Sequence, residues 1–256
     1  MATPTRPFAL VRPPAASLQD GIVTFIESTP LDLDLAREQW ASYVAALEAN
    51  GFPTVHVEVD DTLPDSVFIE DAVVMFGDLA VITNPKQPAR NPETVATEKV
   101  VIDLGIETAT ITEGHLDGGD VLKVGTTAYV GLTGTTEAAA VEQLRRVLEP
   151  RGWDVVTVPV TKALHLKSAI TALPDGTIIG YGPVVDDPSI FERYLEVPEE
   201  PGAHVVVLGE DKVLMSSAAP RTETLLHERG LDVVTVNISE FEKLEGCVTC
   251  LSVRVR

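Results

Sequence analysis

Four segments of the chain share one plan: a helically spaced stretch, a glycine, then a short alternating run of β-branched residues. The runs are FPTVHVEV, IETATIT, WDVVTVPV and LDVVTVNI, and they follow Gly51, Gly105, Gly152 and Gly230. Before the first of them, LDLAREQWASYVAALEANG sets Leu35, Trp40, Val44 and Leu47 on one helical face, with Gly51 as its stop. TTEAAAVEQLRRVLEPRG and PRTETLLHERG repeat the pattern, each ending in a glycine. The first three glycines are 54 and 47 residues apart; the next gap is 78 and holds a further Gly202 followed by AHVVVLG, which marks another module. The spacing is that of a degenerate repeat of about 50 residues, each unit a few strands and one helix. Such units predict an α/β architecture in one domain over residues 1–256, with VPEEPGA as a loop between repeats. Helix, glycine and strand also recur in any α/β protein, so the repeat alone does not select a fold.

Charge narrows the function. The chain carries 39 acidic and 19 basic residues, net charge -20, which argues against nucleic acid, where a basic patch supplies most of the binding free energy. A cationic small-molecule ligand is compatible with this balance, and so is acidity serving solubility alone. The early stretch MATPTRPFALVRPPAA is broken by prolines, so neither a signal peptide nor a membrane span is expected there. Two cysteines cannot form a disulfide framework, which predicts a cytoplasmic protein with reduced thiols. A homodimer is compatible with the sequence.

Four segments could carry chemistry. Cys247 and Cys250 form a Cys-x-x-Cys close to the last residue, ahead of an alternating terminal strand, LSVRVR. A zinc site needs four ligands, and neither a second cysteine pair nor two histidines at ligand spacing exists. A redox dithiol is expected at a helix start inside a βαβ unit, and a buried cysteine often does no chemistry at all. In HLDGGDVL, Asp117 and Asp120 flank two glycines whose place in a strand pattern implies close backbone approach or a bulge; turn chemistry also accounts for D-G-G-D. In LPDSVFIEDAVVMF, Asp65, Glu70 and Asp71 surround a strongly apolar strand, where acids need a partner, a cleft or a solvated strand end. In ALHLKSAI, His165 alternates with leucines and shares a face with Lys167. A thiol, a histidine and carboxylates are the outline of a thiol nucleophile with acid–base support.

Together these segments resemble the dimethylarginine dimethylaminohydrolase family of the guanidine-modifying superfamily. The resemblance rests on LPDSVFIEDAVVMF, LAVITNPKQPAR, LDGGDVL, LHLKSAI and EKLEGCVTCLSV, in that order, over most of the chain. It implies a pentein-like, five-bladed pseudo-symmetric α/β propeller around a central acidic cleft. It further implies Cys250 as nucleophile, His165 as acid–base residue and Asp117 as its support, with Cys247 outside the catalytic position. Glu70 and Asp71 then surround the guanidinium group, Asp65 holds the α-amino group, Arg90 pairs with the α-carboxylate, and the loop near Ser17 and Leu18 is the lid.

The implied reaction is thiolate addition to a guanidinium carbon, loss of an amine protonated by His165, and hydrolysis of a covalent thiouronium to a ureido product such as citrulline. No metal or organic cofactor is implied, and the partner is a small cationic guanidino substrate. One position departs from the family. Thr135, in TGTTE, stands where the family usually places a second carboxylate-binding arginine. Losing such a contact costs on the order of 1.5–3 kcal/mol. Arginine, agmatine or an alkylguanidine is therefore an alternative substrate, and a non-catalytic binding propeller or a Cys247–Cys250 redox switch is an alternative role.

Overall fold

The computed structural model describes residues 7–256. The first unit is β1 (Phe8–Val11), α1 (Leu33–Ala49) and β2 (Thr54–His56). The second is β3 (Val73–Phe76), β4 (Leu79–Ile82), α2 (Asn91–Asp103) and β5 (Glu107–Thr110). The third is β6 (Val121–Val124), β7 (Thr127–Leu132), α3 (Ala138–Leu148) and β8 (Asp154–Pro159). The fourth holds a one-turn helix α4 (Leu166–Ala169), β9 (Ile170–Ala172), β10 (Ile178–Gly180) and β11 (Tyr194–Glu196). The fifth is β12 (Val205–Val207), β13 (Lys212–Ser216), α5 (Pro220–Glu228) and β14 (Asp232–Val236), after which a short α6 (Ser239–Glu242) leads to β15 (Val253–Val255).

The strands form five three-stranded sheets. In each, an antiparallel pair is followed by a third strand parallel to the middle one, reached by crossing over the outside. The ring closes because β15 pairs antiparallel with β1, in the register Phe8↔Val255 and Leu10↔Val253. Five apolar clusters occupy the seams between neighbouring blades; one, for example, joins Val74 and Phe76 of β3 to Val130 of β7 and to Val141, Leu144 and Leu148 of α3. The expected five-bladed α/β propeller is the fold observed.

The marker glycines have a conformational reason. Gly51, Gly105, Gly152 and Gly230 take φ of +87°, +75°, +82° and +86°, the left-handed conformation that ends a helix and that only glycine adopts without strain. The irregular 78-residue gap has one too. Blade four crosses from β10 to β11 through two 3₁₀ turns, Gly182–Val184 and Pro188–Ile190, so it lacks both a crossover helix and its terminal glycine. Along α1 the buried face is Ala36, Gln39, Tyr43, Val44 and Leu47; Leu35 is 37% exposed, and half-buried Trp40 packs against this core and edge-on against the His56 ring. The expected stripe was thus displaced by about one residue at its start, where the Asp32 cap on the amides of Asp34 and Leu35 sets the helix rotation.

Tyr43 ties this outer helix to the end of the chain. Its buried hydroxyl donates to the Val248 carbonyl at 2.8 Å and meets Ser252 Oγ at 2.6 Å. Tyr43→Phe leaves both atoms buried without that partner and is expected to lower unfolding free energy by about 1–3 kcal/mol, read from urea unfolding. A loss under about 0.5 kcal/mol would show that the tie is not holding the terminal turn.

Candidate active site

The turns entering the innermost strands meet at one end of the ring. Pro64–Val67 and Ile69–Asp71 form consecutive 3₁₀ turns ahead of β3, Gly118–Asp120 a third ahead of β6, His165 caps α4 ahead of β9, and Cys247–Ser252 turns into β15. The apolar stretch around Asp65, Glu70 and Asp71 therefore becomes strand only at Val73, because the acids occupy turns. Likewise His165 and Lys167 do not alternate along a strand; the one-turn helix separates them, sending each to a different acid.

Glycine permits this convergence. A Cβ on Gly118 would lie 2.0 Å from the Glu70 carbonyl oxygen, and one on Gly119 would lie 2.5 Å from His165 Nδ1. The paired glycines thus mark close backbone approach, with a 3₁₀ turn at the strand entrance instead of a bulge.

Of the residues that the resemblance assigns to catalysis and substrate, Cys250, His165, Asp117, Asp65, Glu70, Asp71, Arg90 and Leu18 are buried, none more than 8% exposed, and Ser17 is half-buried. The structure brings five of them into a connected polar cluster, with Glu70 and Cys250 paired beside it. His165 Nε2 lies 3.3 Å from Asp117 Oδ2, and Nδ1 lies 3.8 Å from Asp71 Oδ1, which also accepts from the Gly119 amide at 3.0 Å. Arg90 donates to Asp71 Oδ2 at 2.9 Å and to the Asp65 carbonyl at 3.4 Å. Glu70 is paired through its amide, which donates to the Cys250 carbonyl at 3.2 Å. Cys250 Sγ itself lies 3.2 Å from Cys247 Sγ and makes no hydrogen bond to His165. Leu18 sits in the core seam between blades five and one; the exposed apolar tip nearby is Phe25 and Ile26. Glu245, at φ +60°, accepts from the amides of Thr24 and Phe25, both at 2.7 Å, and so pins that tip beside the cluster.

Several partners were invisible to sequence reasoning. Glu93 takes Arg90 on both carboxylate oxygens, with the shortest contact 2.9 Å. Lys167 Nζ holds Glu70 Oε1 at 2.6 Å, and Arg254 reaches the same oxygen at 3.4 Å. Asp120 accepts from Thr133, Thr135, Thr136 and the Leu166 amide, which fixes the start of α4. Thr135 therefore faces inward onto Asp120. The contacts span 48 residues in the Asp117–His165 pair and 184 in the Glu70–Arg254 pair, so no local pattern announces them.

The electrostatics follow from burial set against pairing. Burial alone would lower His165, but Asp71, Asp120 and the Asp117 hydrogen bond outweigh it and push its pKa up to about 10. Burial would raise Asp71; the charges of His165, Arg90 and Lys167 hold it below its ordinary range. Glu93 is pushed up to about 7, since its burial exceeds what Arg90 returns while Asp65 and Asp71 draw on the same cation. The hydrogen bond with Cys247 pushes the Cys250 thiol up, as do burial and the negative charges of Glu70 and Asp71. Two buried carboxylate oxygens, Glu70 Oε2 and Asp117 Oδ1, have no hydrogen-bond partner. Among the described residues no group of three or more His, Cys, Asp or Glu side chains is arranged to hold a metal ion, and no helix is long and apolar enough to cross a membrane.

The geometry predicts a contrast between two glycines. Gly118→Ala drives a methyl into a backbone carbonyl and is expected to cost at least about 3 kcal/mol of stability or prevent folding. Gly134→Ala, with nothing within 4 Å of its Cβ, is expected to be near neutral. Equal urea midpoints for the two variants would contradict the packing described.

No family model matches the chain. A dimethylarginine dimethylaminohydrolase of Streptomyces coelicolor is 56% identical over 249 residues, covering 97% of this chain and 96% of that protein. Among solved structures, a dimethylarginine dimethylaminohydrolase carrying a histidine-to-glycine change, as an adduct with S-methyl-L-thiocitrulline, superposes with a TM-score of 0.91 at 30% identity, covering 98% of this chain and 100% of that one. A cysteine-to-serine mutant of the Pseudomonas aeruginosa protein complexed with citrulline gives 0.90 at 31% identity, covering 96% and 98%.

Proposed function

We propose, because the chain belongs to the dimethylarginine dimethylaminohydrolase family, that it hydrolyses an Nω-methylated arginine to citrulline and a methylamine through a covalent intermediate on Cys250. The observation that carries the reading is the pair of partnerless buried oxygens, Glu70 Oε2 and Asp117 Oδ1. Buried carboxylate oxygens without donors are rare and costly, and a planar cation with several N–H groups satisfies both.

In the resting site His165 carries the proton and Cys250 holds its own. A guanidinium entering beside Glu70 and Asp71 offsets the negative charge that keeps Cys250 protonated, so the thiol releases its proton to solvent and leaves the thiolate. The thiolate adds to the guanidinium carbon, and the C–N bond to the substituted nitrogen breaks as His165 gives that nitrogen its proton. His165, now neutral, takes a proton from water; the hydroxide attacks the thiouronium carbon, and the C–S bond breaks to return Cys250 and release the ureido product. Asp117 holds the imidazole at Nε2, 3.3 Å away, and so acts through His165, while Nδ1, 3.8 Å from Asp71, is the nitrogen that exchanges the proton.

The carboxylate end is held more sparely. Of the five N–H donors of Arg90, four are committed to Asp71, Glu93 and the Asp65 carbonyl. With Thr135 turned to Asp120, one Arg90 donor and backbone amides remain for an α-carboxylate. This favours keeping a guanidine without a carboxylate as the second reading. Asp65, which accepts from the Ile22 amide at 3.1 Å, is assigned to the α-amino group, and Leu18 with Ser17 to the base of the lid whose tip is Phe25 and Ile26. The working unit is the single domain over 1–256, acting in the cytoplasm on a small cationic substrate.

Ureido product formation from dimethylarginine, monomethylarginine, arginine, agmatine and alkylguanidines tests the reading. Methylated arginines should be turned over, Cys250→Ser should abolish turnover, and Cys247→Ser should retain it. Turnover confined to guanidines lacking a carboxylate selects the second reading, and equal loss in both serine variants reverses the thiol assignment.

The charge arrangement also sets the pH profile. With Cys250 raised and His165 at about 10, kcat/KM should climb from pH 6 toward alkaline pH and fall again as His165 loses its proton. Asp117 raises His165, so Asp117→Asn should move the alkaline limb to lower pH. An unmoved limb in that variant would show that Asp117 does not set the histidine's protonation.

A further inference from the structure

We infer that the channel at the centre of the ring, on the far side of Glu70 from the thiols, is a binding site for a small multivalent oxyanion of the phosphate-ester class. The inference does not depend on the substrate assigned above. Residues of β3, β6, β9, β12 and β15 enclose a cavity of about 410 Å³ there. Its charged lining is Lys123, Lys167, Arg254 and Arg256 against one carboxylate, Glu70, among the described residues. In a chain with 39 acidic and 19 basic residues, this clustering runs against composition.

Glu70 cannot neutralise that set. Its Oε1 is already shared by Lys167 and Arg254, and its Oε2 has no partner in the cluster. Lys123 gives one N–H to the Met75 carbonyl and lies 5.6 Å over the Phe76 ring, leaving two of its three donors unused. The Arg256 guanidinium lies 5.5 Å over the Phe52 ring, with one N–H on the Val207 carbonyl. Both side chains are thus propped by aromatic faces and single carbonyls, with neither paired to a carboxylate. Water reaches Lys123 from the channel, and the charges of Lys167 and Arg254 beside it work against its ammonium form. An incoming anion relieves that repulsion. A guanidinium fork and an ammonium within one cavity suit a tetrahedral oxyanion, which the fork binds bidentately and the ammonium as a point charge.

The lining supplies its own reporter. Trp153 stands on the cavity wall, packed edge-on against Phe76 beneath Lys123, while the second tryptophan, Trp40, lies on α1. In a Trp40→Phe background, inorganic pyrophosphate should change Trp153 fluorescence saturably at constant ionic strength, with one site per chain by calorimetry. Lys123→Gln and Arg256→Gln should each weaken that binding by about tenfold or more, with circular dichroism unchanged. The inference is overturned if no saturable signal survives replacement of pyrophosphate's ionic contribution by chloride. It is equally overturned if both folded variants bind within about twofold of the parent. Two independent variants keep the test decisive should one of them fail to fold.

Discussion

The antiparallel pairing of β15 with β1 is the contact on which the rest of the molecule depends. It closes five sheets into a ring, gives the fifth seam its two walls, and carries Cys250 across 180 residues of sequence to lie against Glu70. A strand of three residues cannot hold this by backbone hydrogen bonds alone. Side chains reinforce it: Tyr43 reaches in from α1 to Val248 and Ser252, and Arg254 donates to the Thr249 and Ser252 carbonyls. The placement of the thiols near the last residue is therefore a property of the fold. The turn that enters the last inner strand is equivalent to those carrying Glu70, Asp117 and His165 in other blades.

Burying this many ionisable groups is costly unless each charge finds compensation. The cluster solves the problem by sharing. Arg90 serves Asp71 and Glu93, His165 serves Asp71 and Asp117, and Lys167 with Arg254 serves Glu70. Acids outnumber cations on the thiol side, and the remainder shows as a raised Glu93, a raised Cys250 and two partnerless oxygens. A cationic ligand is the missing member of the set. On the channel side the imbalance reverses sign, with Glu70 as the common boundary. One carboxylate thus separates an acid-rich cluster from a cation-rich channel.

Much of this was legible in the chain, for reasons that differ by residue. The glycine markers were readable because helix ends demand positive φ, and they located the outer strands of four blades. Blade four escaped because its 3₁₀ crossover has neither a helical period nor a terminal glycine. Ring closure has no local signal and came only with the family resemblance. The run VFIEDAVVMF reads as strand throughout, since a short apolar run cannot distinguish a strand from buried turns; only its second half is one. The cysteine pair, His165 and the acids stood out by residue type, and the choice of Cys250 over Cys247 came only with the family resemblance. Glu93, Arg254 and the pairing of Lys167 with Glu70 did not, because a charged side chain that is paired in the fold looks on paper like any solvated charge.

The disposition of Arg90 and Thr135 decides where recognition resides. A guanidinium fork spent on two carboxylates and a carbonyl is rigid, and its function within the protein is to hold Asp71 in place beside His165. Thr135 adds to the same rigidity from the other side, through Asp120 and the first amide of α4, which fixes His165 at its cap. Both positions that the family resemblance assigns to the carboxylate end therefore contact Asp71 and Asp120, the acids packed around His165. On the proposed reading, binding free energy is concentrated on the guanidinium, where it can be stronger in the transition state than in the ground state as the imidazolium gives up its proton. The Phe25 and Ile26 tip is held in turn by Glu245, which itself takes a backbone conformation, φ +60°, that few side chains tolerate.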